Sequence, residues 1–74
     1  MPKLTPVHYQ TLIKVFEKAG FVVVRRESSH IMMEKESLPR PLVIPSYPEV
    51  PVSIIKGLLR SACMTREEYF RNLR

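Results

Sequence analysis

Apolar residues along the chain shift from helical spacing to short β-branched runs and then back. Tyr9, Leu12, Ile13, Phe16 and Ala19 recur three and four residues apart, with Lys14, Glu17 and Lys18 between them. That spacing predicts an amphipathic helix. Thr5-Pro6 offers a start, a capping hydroxyl followed by a proline at the first helical position, so the helix is expected over Pro6–Ala19. Gly20 is its expected stop. Phe21 to Arg26 contains three consecutive valines, poor helix and good strand material. Glu27-Ser28-Ser29 is a polar break, and His30 to Glu34 is a second short run, close enough to the first for an antiparallel hairpin. Glu34 to Pro41 is charged, carries two prolines and reads as a loop. Leu42-Val43-Ile44 forms a third run closed by Pro45, and the prolines within Ser46–Pro51 exclude regular structure there. Ile54, Ile55, Leu58, Leu59 and Ala62 place a helix over Ser53–Ala62, although Gly57 inside it points to a start only near that glycine. Thr65-Arg66-Glu67-Glu68 is a capping box opening a last short helix that runs to about Leu73.

The order is α-β-β-β-α with a short extra helix, an α+β arrangement. A three-stranded antiparallel sheet of this kind covers one face with its helices and leaves the other open. The same order occurs in double-stranded RNA-binding domains, an analogy of fold that by itself carries no function. The chain has 74 residues, which fits one domain over residues 1–74 with a lean core. There are no repeats or linkers.

Composition narrows the function classes. One cysteine, Cys63, excludes disulfide stapling and a cysteine-based zinc site. No apolar run approaches the roughly 18 residues of a membrane span. Met1-Pro2-Lys3-Leu4 lacks an apolar leader, so a reduced, cytoplasmic setting is expected. Net charge is +5, distributed as +4 over residues 1–26 (five basic, one acidic), −2 over 27–50 (two basic, four acidic) and +3 over 51–74 (five basic, two acidic). Basic ends fit a polyanion partner such as a nucleic acid, and equally a solvated surface that keeps the protein soluble.

Candidate chemistry centres on His30. Side chains alternate in a strand, so His30, Met32 and Glu34 share one face while Ile31 and Met33 take the other. With Ile31 and Met33 against the helices, His30 points out of the open face, a few residues from Arg25 and Arg26. An imidazole that moves protons beside arginines that hold a phosphate suits RNA cleavage. Residue types alone fit a strand-edge histidine without chemistry better. His8, in the first turn of the first helix, reads as a surface residue. Ser28, Ser29 and His30 lack the elbow and acid of a serine hydrolase, two glycines cannot make a phosphate loop, and Glu34, Glu36 and Glu49 lack the spacing of a metal site. Met32 and Met33 read as packing residues, and Cys63 as a small buried apolar one at a helix end.

Ala19-Gly20-Phe21 ends the first helix, Arg25-Arg26 ends a strand, and Ser28-Ser29-His30 opens the next. Leu42-Val43-Ile44-Pro45, Ile55-Lys56-Gly57-Leu58-Leu59-Arg60 and Met64-Thr65-Arg66-Glu67-Glu68-Tyr69 follow in order. Together these segments, spread over nearly the whole chain, resemble the HicA (YcfA-like) toxin family. The resemblance implies a double-stranded-RNA-binding-like fold and an mRNA interferase, a small endoribonuclease. With no carboxylate or Cys/His cluster at metal-ligand spacing, that activity is expected to need no metal or other cofactor. The resemblance also implies that His30 is the catalytic histidine and that a HicB-type antitoxin covers the active face. RNA phosphates would then be held by Arg25, Arg26 or Lys35, with Ser29, Lys3 and Arg60 as further candidates. The chain departs from the family pattern in three places. Ser28 stands where the motif is usually Gly-Ser-His, Ser46-Tyr47 where many members carry a second histidine, and Cys63 where a glycine would end the helix. The competing reading is a non-catalytic RNA-binding module, which would lose nothing on replacement of His30.

Overall fold

The computed structural model describes residues 3–73; Met1 and Pro2, part of the segment read as lacking a leader, lie outside them. The first helix, α1, spans Tyr9–Lys18 and begins later than Thr5-Pro6 suggests. Val7 instead forms an antiparallel bridge with Val50, each backbone N–H donating to the other's carbonyl at 3.3 and 2.7 Å. A residue committed to that extended pairing cannot be helical, so a contact 43 positions away (50 − 7) overrides the local capping signal. The cap passes to His8, whose Nδ1 accepts from the Gln10 N–H at 3.2 Å.

α1 ends as expected. Gly20 has φ +100°, and the Gly20 and Phe21 N–H groups donate to Glu17 and Phe16 carbonyls, each at 3.0 Å. This is a Schellman closure, and its usual apolar contact is present, with the Phe16 and Phe21 rings edge to face at 5.6 Å.

Three strands follow, β1 (Val22–Arg26), β2 (His30–Glu34) and β3 (Leu42–Pro45), in antiparallel order β1-β2-β3. Ile31 and Met33 of β2 and Leu42 and Ile44 of β3 are buried. They meet Leu12, Ile13, Val15 and Phe16 of α1 and Ile55, Leu58 and Leu59 of α2 (Val52–Ser61) in one core cluster. Each such side chain contributes about 1.5–3 kcal/mol relative to exposure. The other sheet face is open, with Val22 and Val43 exposed.

α2 begins at Val52, five residues before Gly57. Packing of Ile55 and Leu58 on either side of Gly57 outweighs the roughly 1 kcal/mol that a helical glycine costs. Nothing lies within 4 Å of where a Gly57 Cβ would sit. The expectation of a buried Cys63 is also corrected: Cys63 is exposed, with φ +55°. Its N–H donates to the Arg60 carbonyl at 3.2 Å and the Met64 N–H to the Leu59 carbonyl at 2.9 Å, repeating the closure of α1. The buried places at this helix end belong to Ala62 and Met64.

The capping box forms: the Glu68 N–H donates to Thr65 Oγ1 at 3.1 Å and the Thr65 N–H to Glu68 Oε1 at 3.5 Å. It opens α3 (Arg66–Leu73), which packs across α1 rather than on the sheet. Tyr69 enters the core, and Asn72 Nδ2 donates at 3.4 Å to the Val15 carbonyl in the last turn of α1. Among the described residues no helix is long and apolar enough to cross a membrane.

Candidate active site on the open sheet face

Residues of the open face are selected by one irregularity. β1 pairs with β2 as Val22↔Glu34 and Val23↔Met33, then as Arg25↔Met32 and Arg26↔Ile31. Val24 is therefore an extra residue, a β-bulge. In an unbroken ladder Val24 would stand opposite Met32 and Arg25 opposite the buried Ile31. The bulge moves Arg25 onto the face of Met32 and His30, and turns Arg26 to the helix side.

His30 is fixed from both flanks. Its carbonyl accepts from the Glu27 N–H at 2.9 Å, closing the hairpin, and it stands opposite Pro45 of β3. The next rung is tied by the Ser46 N–H donating to the Ser29 carbonyl at 3.0 Å. Both ring nitrogens have neighbours. Nδ1 lies 3.1 Å from Ser29 Oγ, and Nε2 lies 3.5 Å from Glu27 Oε1. The same carboxylate oxygen is 3.1 Å from Arg25 Nε. The imidazole is thus oriented by a hydroxyl at one end and offers the other to an anion beside a guanidinium. That arrangement can move a proton at Nε2 while the arginine holds negative charge.

Of the candidates named from the sequence, the fold brings Arg25 and Ser29 to His30. Arg26 lines a shallow groove with Gln10, Ile13, Lys14 and Glu17 of α1. Lys35 stands past the far end of β2, its Nζ 5.7 Å from the centre of the Phe21 ring. It lies five positions along the chain from His30, about 17 Å when extended. Arg60 is exposed on α2, in the helical layer, and Lys3 is exposed in the segment before α1. Glu27, which in the sequence is part of a polar break, joins the site through Arg25 and His30. Its signal was the spacing Arg25-x-Glu27-x-x-His30, which a tight hairpin folds onto one face.

A family model described as the HicA toxin of bacterial toxin–antitoxin systems matches residues 9–64, a span holding the whole sheet, α1, α2 and His30 with its partners. The chain belongs to the HicA toxin family. HicA toxins pair with HicB antitoxins. Comparison with curated proteins and with solved structures gives no significant match. Against the HicA motif, Ser28 replaces glycine. Among the described residues Cys63 alone combines a side chain with a positive φ. Ser28 therefore takes the hairpin turn without the left-handed backbone that favours glycine. Tyr47, at the position where many HicA toxins carry a second histidine, is exposed two residues past His30's partner Pro45. Its carbonyl accepts from the Tyr9 N–H at 3.2 Å, tying this loop to the start of α1. Among the described residues no group of three or more His, Cys, Asp or Glu side chains could hold a metal ion.

Proposed function

We propose that this HicA-family toxin is a metal-independent endoribonuclease that cleaves mRNA with His30 as its catalytic group, and that a HicB-type antitoxin silences it. The observation that carries the reading is the position of the His30 ring, on the open sheet face with Nε2 and Arg25 Nε directed at one anionic oxygen.

A phosphodiester needs the same two contacts. With Arg25 on a non-bridging oxygen, the ribose 2′-oxygen bonds to phosphorus and the bond to the 5′-oxygen breaks. The 2′-hydroxyl loses a proton and the 5′-oxygen gains one. His30 Nε2 handles one of these transfers directly, and water completes the other. Ser29 holds the ring from Nδ1. The products are a 2′,3′-cyclic phosphate and a 5′-hydroxyl end.

A basic protein with an open, flat catalytic face is most economically silenced by a partner that covers that face and meets Arg25 with acidic groups. The test is cleavage of a defined mRNA by the purified toxin in EDTA. Cleavage with cyclic phosphate ends supports the reading. Cleavage that stops in chelator and returns with magnesium refutes it.

A further inference from the structure

Glu27 has no place in that mechanism, yet it occupies the mechanism's centre. Its Oε1 sits 3.1 Å from Arg25 Nε and 3.5 Å from His30 Nε2, so one anionic oxygen bridges the two groups assigned to the phosphate. We propose that Glu27 is an internal stand-in for the RNA phosphate, a carboxylate that fills the Arg25–His30 anion site in the free protein and must be displaced when RNA binds. The proposal rests on the ribonuclease reading and adds to it a built-in brake on substrate affinity.

Exposure makes the brake reversible. The side chains of Arg25, Glu27 and His30 are 68%, 39% and 33% exposed. Ion pairs this accessible to water are weak, so a ligand with stronger contacts can open them. A phosphodiester presents two non-bridging oxygens to a guanidinium where Glu27 spends a single oxygen on Arg25 Nε, and it brings neighbouring phosphates that a lone carboxylate lacks. Glu27 also swings from a hairpin turn outside the strands, so its side chain can leave without disturbing the ladder. While it remains, a phosphate approaching Arg25 meets a like charge within a few ångströms.

Glu34 provides an internal control. It projects from the same face at the other end of β2, four residues from His30. That is about 13 Å along the strand, beyond a Debye length of about 8 Å at physiological salt. Removing either carboxylate changes net charge equally, but Glu27 alone occupies the anion site.

The experiment measures affinity for a 2′-O-methyl oligoribonucleotide, which lacks the free 2′-hydroxyl and is not cut. Fluorescence anisotropy at fixed 150 mM salt compares wild type, Glu27→Gln, Glu34→Gln, Arg25→Gln and the Arg25→Gln/Glu27→Gln double variant. Glu27→Gln is expected to bind about five- to twentyfold tighter than wild type, from the broken ion pair and the lost repulsion. Glu34→Gln should change binding by about twofold or less. In the Arg25→Gln background the gain from Glu27→Gln should fall to the level of the control, because the carboxylate acts through Arg25. Equal or weaker binding by Glu27→Gln, relative to Glu34→Gln, overturns the brake and leaves the ribonuclease reading standing. No binding by wild type or any variant, with circular dichroism showing all of them folded, overturns both.

Discussion

Replacing Cys63 with glycine should stabilise the protein. Cys63 holds φ +55° as the residue after α2, a left-handed backbone that costs a residue with a side chain about 1–2 kcal/mol. The two bonds that close the helix, from the Cys63 N–H to Arg60 and the Met64 N–H to Leu59, are made by backbone and survive the change. The thiol is exposed, so little packing is lost. Against this, glycine gives the unfolded chain about 0.4–1 kcal/mol of extra entropy. The balance is a gain of about 0.5–1 kcal/mol. For a domain of this size that raises Tm by roughly 2–8 °C. Gly20→Ala is the mirror experiment. φ at Gly20 is +100° and a Cβ there would make only ordinary contact, 3.4 Å from Lys35 Cε, so the strained backbone, less the same entropy difference, should cost this variant about 0.5–1 kcal/mol. Both are read by thermal melts followed at 222 nm with reductant present. Cys63→Ala separates strain from sulfur chemistry, since it keeps the φ and loses the thiol, and should stay within about 0.5 kcal/mol of wild type. A Cys63→Gly protein that melts at or below wild type would refute the reasoning, because the two helix ends would then not be equivalent closures.

Gly57→Ala should add about 0.5–1 kcal/mol, since α2 runs through Gly57 and an added Cβ meets open space; a denaturation midpoint at or below wild type would contradict it. Burial raises the pKa of Tyr69 above its ordinary value of 10.0, so the phenol is neutral in both states below that pH and its contribution is fully present there. As pH rises past about 10 the unfolded state ionises first and stability falls, and urea midpoints of wild type should drop more steeply from pH 9 to 11 than those of Tyr69→Phe. RNA affinity should fall with salt, and Arg25→Gln should flatten that slope by about 0.7. Arg26→Gln should leave the slope unchanged, because Arg26 faces the α1 groove; equal flattening by both variants would show that the bulge does not sort the two arginines.

Element order was legible because its punctuation is local. Gly20, Pro45 and the Thr65–Glu68 box each end or begin an element through their own backbone chemistry, and all three act where the sequence places them. The helix start was illegible because Val7 answers to Val50, and no window around Thr5-Pro6 contains that partner. Cys63 was misplaced because its apolar character suggested burial, while its position one past Ala62 dictated an exposed turn. His30 was readable from strand alternation once Ile31 and Met33 were taken as inward, and both are buried. Which arginine joins it was not readable. Three successive valines give no sign of where a ladder slips, and a slip of one residue exchanges Arg25 for Arg26 on the open face. Glu27 was missed because it lies between strands, where alternation assigns no face.

The central claim is that one imidazole does the chemistry, and the most direct measurement of it replaces that ring alone. Wild type and His30→Ala are expressed from an inducible promoter without antitoxin, at matched protein levels, with growth and transcript integrity followed together. The ring is one-third exposed at the sheet surface, so its loss leaves the core intact and the variant folded. The account predicts growth arrest and fragmented mRNA on induction of wild type, and normal growth with intact transcripts for His30→Ala. A folded His30→Ala protein that arrests growth and cuts RNA as wild type does would contradict it.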